Sequence, residues 1–109
     1  MNPSHPAAEA ALSRLTIDLG AVRRNYRRLL DRLGGVPCAG VVKADGYGLG
    51  ADRVAPALWA EGCRIFFVAT LEEAVRLRPA VPDATVCCLN GLLPGTEEVF
   101  SEFRLVPVL

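Results

Sequence analysis

The chain carries 109 residues, twelve basic and twelve acidic, for a formal net charge of zero. That length bounds it to one small domain or a piece of a larger one, and a balance of 51% hydrophobic to 22% charged residues excludes a disordered chain. No basic excess exists to displace counterions, so neither nucleic acid nor an anionic membrane surface is an expected partner.

Residues 1–14 read as a flexible, Pro- and Ala-rich tail holding the single histidine, His5. They show no continuous apolar core with basic flanks, and no run approaches the length of a membrane span, so the expected location is the cytoplasm. Residues 15–19 alternate like a strand and lead into a helix over 20–33. There Val22, Tyr26, Leu29, Leu30 and Leu33 recur at helical spacing, while Arg23, Arg24, Arg27 and Arg28 take the other face as a solvated surface. Gly34 and Gly35 stop the helix, and Ala39 to Lys43 form an apolar strand that ends in a lone lysine. Ala51 to Glu61 read as the second helix, which Pro56 is expected to kink or end in its first turn.

Ile65 to Ala69 form the next buried strand. Thr70 offers a capping side chain for a helix over Leu71–Leu77, and Glu73 completes a capping box, a role that accounts for the acidic pair Glu72 and Glu73. Thr85 to Leu89 make a further strand, residues 90–94 a turn, 97–103 a short helix and 105–109 a last strand. The four cysteines, Cys38, Cys63, Cys87 and Cys88, do not fall at metal-ligand spacings; no metal is expected, and the three that lie in or beside apolar strands read as small core residues.

Apolar strands alternating with helices imply parallel pairing with helices covering the sheet, an α/β fold. A closed parallel (β/α)8 barrel needs eight strands and typically about 250 residues. The expected architecture is therefore a partial (β/α)8 TIM-like barrel: about the first four parallel strands with their helices, over residues 15–109. The chain stops inside a strand at Val108-Leu109, so it is expected to be an N-terminal fragment or a truncated reading frame. Half a barrel leaves two open edges and an uncovered apolar face, which predicts self-association.

Residues 40–50, Gly-Val-Val-Lys-Ala-Asp-Gly-Tyr-Gly-Leu-Gly, carry the strongest chemical signal. A lysine closing a strand can be a solvated strand end, and glycines after a strand an ordinary strand-to-helix turn. The other reading is chemical. Apolar neighbours disfavour an ammonium, which lowers the lysine pKa and leaves a neutral amine for a carbonyl. The glycines let backbone N–H groups approach an anion. Together they suggest a Schiff-base lysine beside a phosphate-binding loop. Gly46, Gly48 and Gly50 do not fit G-x-G-x-x-G, and no G-x-x-x-x-G-K-[ST] loop occurs.

Val-Val-Lys-Ala-Asp-Gly-Tyr-Gly-Leu-Gly, residues 41–50, resembles the pyridoxal phosphate attachment motif of bacterial alanine racemases, A-V-V-K-A-[ND]-A-Y-G-H-G. Two further stretches resemble the same family in the same order. Leu15-Thr-Ile-Asp-Leu-Gly-Ala-Val-Arg-Arg-Asn-Tyr26 is similar to its opening E-I-D-L-x-A-[LIV]-x-x-N. Phe67-Val-Ala-Thr-Leu-Glu-Glu-Ala-Val-Arg-Leu-Arg78 is similar to its V-A-T-x-E-E-A-x-x-L-R. Gly46 stands where alanine is usual and Leu49 where histidine is common.

The resemblance implies a pyridoxal phosphate enzyme that interconverts L- and D-alanine and so supplies D-alanine for peptidoglycan. It implies that Lys43 holds the cofactor as a Schiff base and acts as the base on one face of the substrate α-carbon. Tyr47 matches the tyrosine that hydrogen-bonds the cofactor phosphate, with packing on a helix start as the plain alternative. Leu89 matches a position lining the cofactor pocket, with plain core as its alternative. Asp18 matches the acidic residue of the opening motif and reads as structural. The second acid/base, a tyrosine from the partner subunit's C-terminal domain in the family homodimer, has no counterpart in this sequence. These 109 residues alone are thus expected to lack racemase activity. Serine or a broader set of amino acids is an alternative substrate. The alternatives to an enzyme are a non-catalytic pyridoxal phosphate binder and a truncated remnant acting only as a binding module.

Overall fold

The structure, a computed structural model, describes residues 18–109. The expected tail, with His5, and residues 15–17 of the expected first strand lie outside the described residues. Asp18 caps helix α1 (Leu19–Leu33), its carboxylate accepting the Ala21 N–H at 3.0 Å, so Leu19 belongs to the helix and not to a strand. Gly34, at φ 59, ends it in the left-handed conformation that residues with a Cβ resist. Tyr26 is buried and its hydroxyl donates to the Cys38 carbonyl at 2.5 Å. Leu29 and Leu33, expected on the inner face, stay exposed. The reason is that α1 packs mainly on helix α2 (Ala51–Ala60), which covers a narrower stripe than the periodicity allows. Two arginines of the expected solvated face are engaged: Arg23 and Arg27 both meet Glu61, at 2.8 and 2.7 Å.

Strands β1 (Gly40–Val41), β2 (Ile65–Val68), β3 (Thr85–Cys88) and β4 (Leu105–Pro107) form one four-stranded sheet, parallel throughout and in chain order. Helices α2, α3 (Leu71–Leu77) and α4 (Glu97–Glu102) link them. This is the partial α/β barrel that strand–helix alternation predicts. The register places Gly40, Phe66, Val86 and Leu105 in one row across the sheet. With Val42 and Val68 they face the helices and meet Leu58, Ala74, Leu77 and Phe100 in the core. Gly40 has no room for a side chain, since a Cβ there would lie 3.1 Å from Leu58 and 3.2 Å from the Phe66 ring.

The adjacent row, Val41, Phe67, Cys87 and Val106, lies on the opposite face. Val41 is 46% exposed and Val106 43%, so the outer strands of that apolar face are open among the described residues, while Cys87 between them is buried. This is the face a closed barrel would turn inward.

One local expectation changes and another is met. Helix α2 runs through Pro56: only one bond is lost, to the carbonyl of Asp52, an exposed residue in the first turn. The capping box of α3 is present as the sequence predicts, with the Glu73 N–H donating to the Thr70 hydroxyl at 3.2 Å and the Thr70 N–H to the Glu73 carboxylate at 3.2 Å. Past α3, Arg78 is buried, and its guanidinium donates to four carbonyls, those of Val81, Ala84, Phe103 and Arg104, at 2.7–3.0 Å. It ties the end of α3 to the start of β4. Cys63, Cys87 and Cys88 are buried free thiols. Among the described residues, no helix is long and apolar enough to cross a membrane.

Candidate active site

Strand β1 ends sooner than its apolar sequence suggests. The Val42 N–H still bonds the Phe67 carbonyl at 2.9 Å, but Lys43 already opens the next turn, Lys43–Tyr47. Lys43 therefore follows the strand instead of closing it, at the C-terminal end of the sheet, where barrel chemistry collects. Ala44, Asp45, Gly46 and Tyr47 all have positive φ, at 54, 54, 67 and 58 degrees. The turn is left-handed. It closes through the Gly46 N–H on the Val42 carbonyl (2.8 Å) and the Gly48 N–H on the Ala44 carbonyl (2.9 Å). Three of these four residues carry a Cβ, and at about 1–2 kcal/mol each the conformation stores roughly 3–6 kcal/mol.

Contacts from two other elements hold this turn. The Ala51 N–H, at the start of α2, donates to the Asp45 carboxylate at 2.9 Å. Across the sheet, the Glu73 carboxylate accepts from the Asp45 N–H at 3.1 Å with one oxygen, and from the Ala69 and Thr70 N–H groups at 3.0 and 3.2 Å with the other. Burial alone would raise the Glu73 pKa. The backbone donors of Asp45, Thr70, Ala69 and Ala44 outweigh it and hold the group below its ordinary 4.5. Between the folded and unfolded pKa values the unfolded chain binds more protons, so stability rises with pH there. Glu73 thus contributes stability that is complete above pH 4.5 and lost as pH falls through the lower folded value. Glu61, depressed by its bonds to Arg27 and then Arg23, acts in the same direction. Urea midpoints measured from about pH 7 down to about pH 3 are expected to be flat at first and then to fall; a rise on acidification would contradict this assignment.

Lys43 is half-buried, and among the described residues no carboxylate lies within salt-bridge distance of its amine. It is also the only lysine of the chain; all other basic side chains are arginines. Tyr47 closes the same turn and is 62% exposed, not packed on a helix. Leu89 follows β3 and is 40% exposed, so the plain-core alternative does not describe it. Its N–H bonds the Val68 carbonyl at 2.8 Å. Two strand spacings put it about 10 Å from the lysine strand, at the same end of the sheet.

The glycines serve a different purpose from the one the sequence suggests. The N–H groups of Gly46, Gly48 and Gly50 donate to Val42, Ala44 and Asp45 carbonyls, so they are spent inside the loop and do not form an anion cradle. What the described residues offer an aldehyde cofactor is the unpaired amine of Lys43 and, in the same turn, the exposed hydroxyl of Tyr47. They do not supply its phosphate cup. Sequence reasoning places Glu73 near the end of the second barrel strand, where a carboxylate could act, but settles on capping for it, and assigns nothing to Asp45. The carboxylates that brace the turn lie 28 residues apart, and only the β1–β2 pairing brings them together. A cleft of about 370 Å³ on the helix side of the sheet, reaching Asp45, Asp52, Glu73 and Arg76, lets water reach both.

The family model described as alanine racemase, N-terminal domain, matches residues 17–109. A catabolic alanine racemase of Mesorhizobium japonicum is 65% identical over 96 residues, covering 84% of this chain and 25% of its own. Another, from Rhizobium johnstonii, is 56% identical over 103 residues, covering 94% of this chain and 27% of its own. Among solved structures, alanine racemase from Bartonella henselae with covalently bound pyridoxal phosphate superposes with a TM-score of 0.81 at 42% identity, covering 85% of this chain and 27% of that one. The chain thus spans about a quarter of the length of the relatives it matches.

Proposed function

The chain belongs to the alanine racemase family, and from that premise we propose that residues 15–109 are the N-terminal, lysine-bearing part of a pyridoxal phosphate-dependent alanine racemase, with residues 1–14 a tail outside it. The reaction is interconversion of L- and D-alanine, its product D-alanine for peptidoglycan, and the working form is a cytoplasmic homodimer. The observation that carries this reading is the family match running through the lone lysine and its turn. Pyridoxal phosphate, when bound, supplies an electron-withdrawing ring that acidifies the α-carbon of an amino acid joined to it.

Lys43 has two tasks in this reading. Its Nζ would hold the cofactor, and its amine would take or return a proton at one face of the substrate α-carbon. Tyr47 would hold the cofactor phosphate by donating its hydroxyl hydrogen to it. Leu89 would line the cofactor pocket and help exclude water. Racemisation also needs an acid/base on the opposite face, and the resemblance assigns that to a tyrosine outside these residues. The 109 residues alone are accordingly proposed to bind without turning over.

Conversion of L-alanine to D-alanine by the full-length enzyme that contains these residues, with pyridoxal phosphate and followed by chiral chromatography, tests the reading. Borohydride reduction should place the cofactor on the Lys43 peptide, in the full-length enzyme and in the 109 residues alone. No D-alanine from the correctly folded full-length enzyme, or an adduct elsewhere, would sink it.

A further inference from the structure

We propose that Glu73 is a positioning residue for Lys43: seated on the amides at the end of β2, its carboxylate holds the left-handed turn that fixes how Lys43 leaves β1. The inference rests on Lys43 being the cofactor lysine, and it assigns Glu73 a task beyond capping helix α3.

A capping box needs one carboxylate oxygen, and here Oε1 fills that need by accepting from Ala69 and Thr70. The second oxygen, Oε2, is left over from that motif and accepts the Asp45 N–H at 3.1 Å. The Asp45 amide has no acceptor within its own turn, whereas Gly46 and Gly48 find theirs in the carbonyls of Val42 and Ala44. Glu73 therefore completes the turn from a neighbouring strand. Asp45 lies two residues past Lys43, at a φ that residues with a Cβ resist. Without the carboxylate the turn can relax toward right-handed or extended backbone, and the lysine amine would leave the sheet in a different direction. Because β1 is only two residues long, its ladder gives the turn little support of its own.

Two substitutions in the full chain separate this task from capping. In Glu73→Gln the amide oxygen can still accept from Ala69 and Thr70, as glutamine does in capping boxes, but its NH2 then faces the Asp45 N–H, donor against donor. Thr70→Ala removes the cap hydroxyl and leaves the Asp45 contact. The first readout is the rate at which pyridoxal phosphate is captured on Lys43, by borohydride quench and peptide mass. The second is hydrogen exchange of the amides of residues 44–48, and the third is the thermal midpoint.

Glu73→Gln is expected to slow capture about tenfold or more, as displacement of a reacting group by an ångström does. It should also raise exchange in the turn and lower the midpoint, because the charge of Glu73 contributes stability; capture and exchange, not the midpoint, separate it from Thr70→Ala. Thr70→Ala is expected to lower the midpoint while capture stays within about twofold. The proposal is overturned if Glu73→Gln captures like the parent, or if Thr70→Ala slows capture and loosens the turn equally. Should the parent itself fail to capture pyridoxal phosphate at Lys43, the cofactor reading fails. Exchange at residues 44–48 then decides separately whether Glu73 holds the turn.

Discussion

Replacing Lys43 by arginine in the full-length enzyme that contains these residues is expected to lower alanine racemisation by about ten-thousand-fold or more, because in the proposed reading one side chain both holds the cofactor and moves the proton. Arginine keeps the positive charge and nearly the same length, but its guanidinium stays protonated at any working pH and offers no neutral amine to an aldehyde. Folding should hardly change. Lys43 is half-buried and, among the described residues, is paired with no carboxylate, so the thermal midpoint should stay within a few degrees of the parent's. Chiral chromatography of the reaction together with a melting curve checks both halves. Turnover above about a tenth of the parent's would remove Lys43 from the chemistry. A collapse of the midpoint would make it a structural lysine.

Arg78 is expected to show the opposite pattern, a large loss of stability with no direct part in chemistry. Among the described residues its buried guanidinium is bound by carbonyls alone, two just before β3 and two just before β4. Burial holds its pKa below the ordinary arginine value, with Arg104 adding a little. Truncation to alanine leaves those oxygens without donors in a site too tight for free hydration, at a cost of about 3–5 kcal/mol. Against a total of about 5–15 kcal/mol for a typical domain, that is a third or more. The thermal midpoint should fall by more than about 10 °C. Lysine at the same position carries the charge but only a compact ammonium, which cannot span both pairs of carbonyls, so its midpoint should lie between the two. Equal midpoints for arginine and alanine would show that the four bonds contribute nothing net.

These two residues mark how far the sequence could be read. Helix α3 was legible to the residue because its start is written locally, in Thr70 and Glu73, and its end in the prolines that follow. The parallel sheet was legible from the apolar runs at 65–69 and 85–89 between helices. Strand β1 was not, because the run 39–43 looks uniformly extended and only the handedness of the next four residues shows where pairing stops. Arg78 was hidden for another reason. An arginine just past the end of an amphipathic helix is ordinarily solvated, and its carbonyl partners Phe103 and Arg104 lie 25 and 26 residues further on. Lys43 and Tyr47 were legible as a motif, but the purpose of the glycines between and after them was not: spacing alone suggests free amides, and the folded loop consumes them.

The lysine turn has a consequence for the stereochemistry of the chain itself. At Ala44, φ 54 and ψ 45 are the mirror image of the helical well that L-residues prefer. A D-alanine placed there by chemical ligation would occupy its own favoured well, relieving about 1–2 kcal/mol without gaining a contact. At this one bend the chirality of the monomers works against the path of the backbone. Ribosomal synthesis offers a single achiral way out, and of the four left-handed positions the chain takes it only at Gly46.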